Sequence, residues 1–183
     1  IYPAIDPLSH KNRDLSAHKL VGILSNAGLM LNPQPVLTPR WKNQAARLRP
    51  DGQFAIANGG TRIGLLYRPI ITQISRWYRL KGWPALMEAF IRLKRRAEKA
   101  GNSRSRHTRR LKICRLVLAG PDPSVIQDDP EGREVLDELR RIYQNLSRAD
   151  QESIALVTLP MLSRKENALM VNAIQRCSTV VVQ

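Results

Sequence analysis

Arg76 and Lys81 are the two residues of this chain whose types and spacing most directly indicate a chemistry. They stand five positions apart in residues 75–82, between an apolar run that ends at Ile74 and a helical pattern that begins at Trp83. Arginine supplies a planar forked donor, lysine supplies a compact positive charge, and the N-terminus of a helix attracts anions. Together these groups favour a diphosphate-binding site. The spacing is also compatible with two solvated loop cations, because no Gly-x-Gly-x-x-Gly sequence and no Walker loop accompanies them.

Acidic and histidine side chains give weaker candidates. Asp128, Asp129 and Glu131 are close enough in sequence to suggest a metal site. They coincide, however, with the start of a predicted helix, where the helix dipole stabilises negative charge, so we expect no metal and no other cofactor. The three histidines have no metal-ligand or catalytic-triad spacing, and we expect no catalytic role for them. They are His10, His18 and His107.

The net charge of +15, from 30 Lys+Arg and 15 Asp+Glu, raises a nucleic-acid hypothesis. The charge is concentrated, because residues 92–112 contain ten basic residues and one acid, Glu98, and supply +9 of the total. That segment has no Trp, Tyr or Phe on which bases could stack. A basic nucleic-acid-binding module is therefore the less favoured alternative, and we do not expect nucleic acid as a partner.

Residues 69–183 alternate between short, β-branched apolar runs and longer helical patterns. We predict four strands, at residues 69–75, 113–119, 153–159 and 179–182. Helices between them begin near Trp83, Asp129 and Ser163. This alternation requires a parallel sheet whose ligands bind beyond the carboxyl ends of the strands. The predicted fold class is α/β, a partial Rossmann-like parallel sheet with helices on both faces.

The first 66 residues are less regular. A helical pattern runs from Ser16 to a terminating glycine, Gly28. Residues 32–66 hold four prolines and four glycines without a sustained period, which predicts an irregular insertion or surface loop. We predict a basic connector at residues 102–110. No apolar run approaches the roughly 20 residues of a membrane helix, so we expect no membrane partner.

Several segments resemble the retaining glycosyltransferases of family four, most closely their trehalose synthases and trehalose phosphorylases. The central one is ITQISRWYRLKGW, at residues 71–83. The others, in order, are PAIDPLS from residue 3, LVLAGPDP from residue 116, DDPEG from residue 128 and ENALMVNAIQR from residue 166. Two features depart from the family: Tyr78 stands where an acidic residue is expected, and residues 32–66 have no secure match.

The resemblance implies the nucleotide-binding C-terminal domain of a GT-B fold, in which two Rossmann-like domains enclose the site. Residues 1–31 would lead from one domain into the other, and residues 67–183 would form a truncated nucleotide-sugar-binding domain. The acceptor domain would precede Ile1, so we expect the chain to be a piece of a longer protein. The resemblance also implies that Arg76 and Lys81 bind the donor diphosphate. The candidate turn near the nucleotide base is Leu159, Pro160, Met161 and Leu162.

The activity implied by the resemblance is transfer of glucose from ADP- or UDP-glucose to glucose, which forms trehalose in the cytoplasm. The partners would be a nucleotide sugar and a glucose acceptor, without a metal. The alternative within the class is a trehalose phosphorylase, in which inorganic phosphate would bind to the same two cations. We expect these 183 residues alone to have no transferase activity, because the cleft needs both domains.

Overall fold

The computed structural model describes residues 6–30, 40–57, 63–101, 105–126 and 128–183. The helices in these ranges are α1 (Ala17–Asn26), α2 (Trp83–Lys99), α3 (Arg106–Ile113), α4 (Pro130–Gln144), α5 (Arg148–Ser153) and α6 (Arg164–Cys177). The strands are β1 (Ala46–Leu48), β2 (Phe54–Ile56), β3 (Ile70–Ile74), β4 (Arg115–Pro121), β5 (Ile154–Leu159) and β6 (Val180–Val182). Short 3₁₀ turns cover Arg79–Lys81 and Pro123–Val125.

The described strands form one sheet in the order β2-β1-β5-β4-β3-β6. Strands β3 to β6 run parallel, whereas β1 is antiparallel to β5 and β2 is antiparallel to β1. The chain adds β4 and β5 on one side of β3 and then places β6 on its other side. The α/β class with a mostly parallel sheet is therefore confirmed, and it is consistent with a Rossmann-like fold.

The core lies on both faces of the sheet, because alternate strand residues point to opposite sides. In β4, Leu116 and Leu118 pack with the apolar sides of α2 and α4. Val117 and Ala119 pack on the other face, with α1 and α6. The prediction of helices on both faces is thus confirmed.

Residues 46–56 correct the prediction of an irregular insertion. Here β1 and β2 form a hairpin that extends the sheet beyond β5, and Leu48 is only 1% exposed. Each strand has three residues, and β1 pairs with a strand about a hundred positions later, so no local pattern reveals it. Residues 32–39 and 58–62 of the predicted insertion lie outside the described residues.

Residues 106–113 correct the prediction of a basic connector, because they form α3. Leu111 and Ile113 are the only large apolar side chains of this short, mostly basic helix, so its sequence offers little apolar surface to bury. The helix packs on α2, where the Lys94 ammonium donates to the Lys112 carbonyl. Tertiary packing therefore stabilises a helix that local sequence does not predict. Strand β4 consequently begins at Arg115 and not at residue 113.

The segment before the sheet packs on the same folded unit. Helix α1 covers most of the predicted helix, and its Leu24 and Ala27 are fully buried against α6. The Asn172 side-chain amide donates to the carbonyls of His10, at 3.1 Å, and Arg13, at 2.9 Å. These hydrogen bonds fix the approach to α1 on the surface of α6.

Candidate functional site

The loop at residues 75–82 connects the carboxyl end of β3 to α2 and contains both predicted cations. The Ser75 N–H donates to the Ala119 carbonyl at 3.2 Å, which continues the pairing of β3 with β4 by one residue. At the other end Gly82 has a φ of +64°, a left-handed conformation that glycine adopts readily. The loop therefore turns sharply and directs the N-terminus of α2 to the same sheet edge.

Trp77 anchors the middle of this loop. Its side chain is fully buried, its indole Nε1–H donates to the Pro121 carbonyl at 2.7 Å, and its ring lies 4.6 Å from that of Trp83. Gly120 makes room for it, because a Cβ at that position would lie 2.5 Å from Trp77 Cε2 and 2.7 Å from the Ser75 carbonyl oxygen. The loop backbone is thus fixed between β4 and α2.

Arg76 is exposed next to this anchor. Its Nη1 donates to the Tyr78 hydroxyl at 3.0 Å, and this hydrogen bond is the main cause that raises the pKa of Arg76. Asp129 contributes a smaller electrostatic effect in the same direction. Tyr78 therefore orients the guanidinium through a hydroxyl, where a carboxylate at that position would form an ion pair with it.

Lys81 lies in the 3₁₀ turn and its side chain is also exposed. Within the described parts of the chain, its ammonium makes no ion pair with a carboxylate. Its backbone is fixed, because the Gln73 side-chain Nε2 donates to the Lys81 carbonyl at 2.8 Å. Gln73 is only 1% exposed. Sequence reasoning missed this residue, although a glutamine within an apolar strand was the available signal.

Arg79, between the two predicted cations, has a different role. Its Nη2 lies 2.8 Å from Glu134 Oε2 and its Nη1 lies 3.8 Å from a Glu138 oxygen. Its backbone N–H donates to Glu131 at 3.0 Å. The hydrogen bond with Glu134 is the main cause that raises the pKa of Arg79. Arg79 therefore connects the loop to α4, and its charge is already paired.

The three helices that follow parallel strands at this edge begin in two ways. Helix α4 is capped by Asp129, which accepts from the Gly132 N–H at 2.9 Å, and α6 is capped by Ser163, which accepts from the Glu166 N–H at 3.3 Å. Helix α2 follows Gly82 and has no side-chain cap and no acidic residue in its first turn. Pro84 in this turn has no N–H, so the backbone donors that the turn can offer an external anion are those of Trp83 and Ala85.

The acidic residues of the neighbouring loop serve the start of α4. Asp129 is its cap, and Asp122 accepts from the Ser124 N–H at 2.9 Å in the preceding turn. The prediction that Asp129 and Glu131 belong to a helix start is confirmed, because Asp129 is the cap and Glu131 lies in the first turn of α4, whereas Asp122 caps the separate 3₁₀ turn. No group of three or more His, Cys, Asp or Glu side chains within the described residues is arranged to hold a metal ion.

The turn after β5 divides into buried and exposed parts. Leu159 is 1% exposed and belongs to the core, so its side chain does not line a surface site. The Pro160 carbonyl accepts from the Asn167 side chain at 3.0 Å. Met161 and Leu162 are 38% and 75% exposed. Two of the four predicted residues therefore present side chains to solvent, at a strand end about 10 Å, or two strand spacings, from β3.

The 75–82 loop lies at the carboxyl edge of the sheet, which is where ligands bind in open α/β folds. Successive connections reverse direction at β3, because β4 and β5 lie on one side of it and β6 on the other. Crevices at the carboxyl ends of strands beside such a switch point bind ligands in open α/β sheets. That the Arg76 and Lys81 side chains converge on one concave spot there stays a prediction.

Two further observations concern the helices of the structure and the comparison of the chain with known proteins. Among the described residues, every helix is too short or too polar to cross a lipid bilayer. Neither the protein-family models nor the curated proteins compared with the chain give a match.

Proposed function

We propose that this chain is the donor-binding part of a retaining glycosyltransferase that moves glucose from ADP- or UDP-glucose to glucose and forms trehalose. The observation that carries the proposal is the loop at residues 75–82, at the switch point of the sheet. It holds two exposed cations without carboxylate partners among the described residues, beside the uncapped N-terminus of α2. The family resemblance of residues 71–83 supplies the substrate class.

In this proposal Arg76 and Lys81 bind the diphosphate of the nucleotide sugar. As the glycosidic bond to the diphosphate breaks, negative charge grows on the departing oxygen. A guanidinium fork and an ammonium that are already in place stabilise this charge without further reorganisation. The N–H groups of the first turn of α2 add donors on the same side. The protein groups, and not a metal, carry the charge compensation.

The supporting residues explain why these cations would be held ready. Trp77 fixes the loop against β4, and Gln73 fixes the carbonyl of Lys81. Tyr78 limits the motion of Arg76. A preorganised site of this kind avoids the entropy of ordering long side chains when the ligand arrives. The rest of the GT-B architecture, including the acceptor domain and the contribution of residues 1–31 as an interdomain segment, belongs to the same proposal.

The experiment that tests the proposal compares nucleotides that differ in one phosphate. Isothermal titration of the 183-residue chain, carrying Arg106→Ala to weaken phosphate binding at the amino-terminal edge of the sheet, with ADP, AMP, UDP and UMP reports how much the second phosphate contributes. We expect one of the diphosphates to bind at least about tenfold more tightly than its monophosphate, because the second phosphate adds charge-assisted hydrogen bonds. Equal affinity for the diphosphates and monophosphates would contradict the proposal.

A further inference from the structure

A basic cavity lies at the opposite, amino-terminal edge of the sheet, and it is shallow and widely open to solvent. Its volume is about 380 Å³, and its lining is residues 66–69 before β3, one side of α3, and Thr179 before β6. The length of β3, about 17 Å, separates this cavity from the loop at residues 75–82.

Three arginines line this cavity: Arg68, Arg106 and Arg110. All three are exposed, and none forms an ion pair with a carboxylate in the part of the chain that the structure describes. A guanidinium stays charged at any physiological pH and offers five donors in a planar fork, which fits phosphate oxygens in pairs. The cavity therefore presents uncompensated positive charge with a geometry suited to phosphate groups.

The groups around the cavity do not cancel its positive charge. Burial lowers the pKa of Arg115, and the charge of Arg68 lowers it further. Burial also lowers the pKa of Lys94, and Arg115 and Arg68 act in the same direction. Glu152 raises the pKa of Arg115 and Glu98 raises the pKa of Lys94, but both pKa values remain below their ordinary values. The surroundings of the cavity are therefore dominated by cations.

The backbone presets one wall of the cavity. The N–H groups of Tyr67 and Arg68 both donate to the Gly64 carbonyl at 3.0 Å. Gly64 has a φ of +89°, and a Cβ there would lie 2.8 Å from Arg68 Cδ, so the glycine makes room for the arginine stem. Leu66 has a φ of +72°, a conformation that costs a non-glycine residue about 1 kcal/mol. Backbone strain of this kind is typical of binding sites.

The stability of α3 does not explain all of these arginines. Arg110 lies in the last turn of α3, where a cation is favourable, but Arg106 begins the helix, where a cation opposes the helix dipole. A bound anion would offset this unfavourable position. Tyr67 and Ile113, which are 80% and 44% exposed, add apolar surface to the rim.

We propose that this cavity binds a small ligand that carries two or more linked phosphate groups. The guanidinium groups of Arg68, Arg106 and Arg110 hold the phosphates, and the exposed Tyr67 ring at the rim would stack on a nucleobase if the ligand carries one. A free polyphosphate chain and a nucleoside polyphosphate share the chemistry that the arginines recognise. The site is independent of the proposed glycosyl transfer and does not rest on it.

The test is isothermal titration of the 183-residue chain with inorganic tripolyphosphate and with ATP, at about 0.15 M salt, which screens non-specific attraction. The chain carries Arg76→Ala and Lys81→Ala, so that the opposite edge does not contribute. We expect saturable binding at one site, and we expect Arg106→Ala to weaken it about tenfold through loss of charge-assisted hydrogen bonds.

The matched control is Arg109→Ala, which removes another exposed arginine of α3 that lies outside the cavity lining. It should change the affinity less than about twofold.

The remaining outcomes distinguish the sources of phosphate. If Tyr67→Ala weakens ATP binding and not tripolyphosphate binding, the ligand is a nucleoside polyphosphate. If it affects neither, the ligand is a free polyphosphate chain, and both results support the site. Three results would overturn it: no saturable binding, equal losses from Arg106→Ala and Arg109→Ala, or binding of single-stranded RNA that tripolyphosphate does not displace.

Discussion

The β3–α2 and β4–α4 junctions lie side by side at the carboxyl edge of the sheet, yet they satisfy the start of their helix differently. At the β4–α4 junction Asp129 accepts a hydrogen bond from the Gly132 N–H and caps the helix. At the β3–α2 junction the helix follows Gly82 without a side-chain cap, beside the exposed Arg76 and Lys81. The first junction is complete within the chain, whereas the second keeps donors and positive charge for an anion from outside.

Arg79 makes this difference sharper because it belongs to both junctions. It lies in the β3–α2 loop, but its guanidinium pairs with Glu134 of α4 and its N–H donates to Glu131. One cation of the loop is therefore paired with a carboxylate, while Arg76 and Lys81 have no carboxylate partner among the described residues. The comparison predicts that substitutions of charged residues at the β3–α2 junction change ligand affinity, and that substitutions at the β4–α4 junction change stability.

The largest expected effect follows from Lys81→Ala in an enzyme that is complete for transfer. Loss of one preorganised donor from a developing oxyanion costs about 3 kcal/mol, so the rate of glucose transfer should fall about a hundredfold. Initial rates of trehalose formation from the nucleotide sugar and glucose measure this. Arg79→Ala is the control, and its effect should be much smaller because its charge is already paired with Glu134. Equal losses would mean that the loop acts as a general cationic patch.

Gly120→Ala should disturb the β3–α2 junction through the anchor and not through charge. The new Cβ would lie 2.5 Å from Trp77 Cε2 and 2.7 Å from the Ser75 carbonyl oxygen, so the loop must shift. We expect a loss of about 2 kcal/mol in the free energy of unfolding, measured by urea titration.

Gly22→Ala provides a control for this change. Gly22 lies within α1, and a Cβ there would meet no atom within 4 Å. It should raise the free energy of unfolding by about 0.5–1 kcal/mol, because alanine is the better helix former. If Gly120→Ala does not lower the free energy of unfolding, just as Gly22→Ala does not, the packing of Trp77 does not require a glycine at position 120.

Asp129→Ala tests the self-sufficient β4–α4 junction. Removal of an N-cap should lower the free energy of unfolding by about 1 kcal/mol, as measured by denaturant or thermal unfolding. Diphosphate binding should remain within about twofold of that of the unchanged chain, because the carboxylate serves the helix. A tenfold fall in nucleotide affinity without loss of stability would show that the acidic junction also takes part in binding.

The smallest expected effect concerns Gln73→Leu, which removes the hydrogen bond to the Lys81 carbonyl and keeps a similar volume. The buried Gln73 Oε1 has no hydrogen-bond partner among the described residues, so leucine also removes an unsatisfied acceptor. The free energy of unfolding should therefore change by less than about 1 kcal/mol, while the dissociation constant for the nucleotide diphosphate rises about threefold. Unchanged affinity would show that Gln73 does not position Lys81 for binding.

The sequence allowed prediction of the elements that carry a strong local pattern. The parallel strands and the helices α2, α4 and α6 have clear apolar periods and recognisable caps at Asp129 and Ser163, and the structure contains them. The β1–β2 hairpin and α3 were missed because each depends on a distant partner. Strand β1 is defined by its pairing with β5, and α3 is stabilised on α2.

The candidate site divides in the same way. Arg76 and Lys81 could be named from residue type and spacing, since both lie in a strand-to-helix loop. The contacts that hold them could not, because Trp77 bonds to Pro121 and packs over Gly120, residues more than 40 positions away. Nor could the sequence show that Arg79 pairs with Glu134, the contact that distinguishes it from Arg76 and Lys81.

The most direct test of the central claim is the dissociation constant of ADP and of UDP for three forms of the 183-residue chain, each with Arg106→Ala to weaken the cavity at the amino-terminal edge: otherwise unchanged, Lys81→Ala and Arg79→Ala. All three retain Trp77 and the uncapped start of α2, so the comparison isolates the exposed cation. We expect Lys81→Ala to weaken the tighter-binding nucleotide by about tenfold or more, and Arg79→Ala to change it by less than about twofold. Similar constants for Lys81→Ala and the otherwise unchanged chain would contradict the assignment of this loop as a diphosphate site.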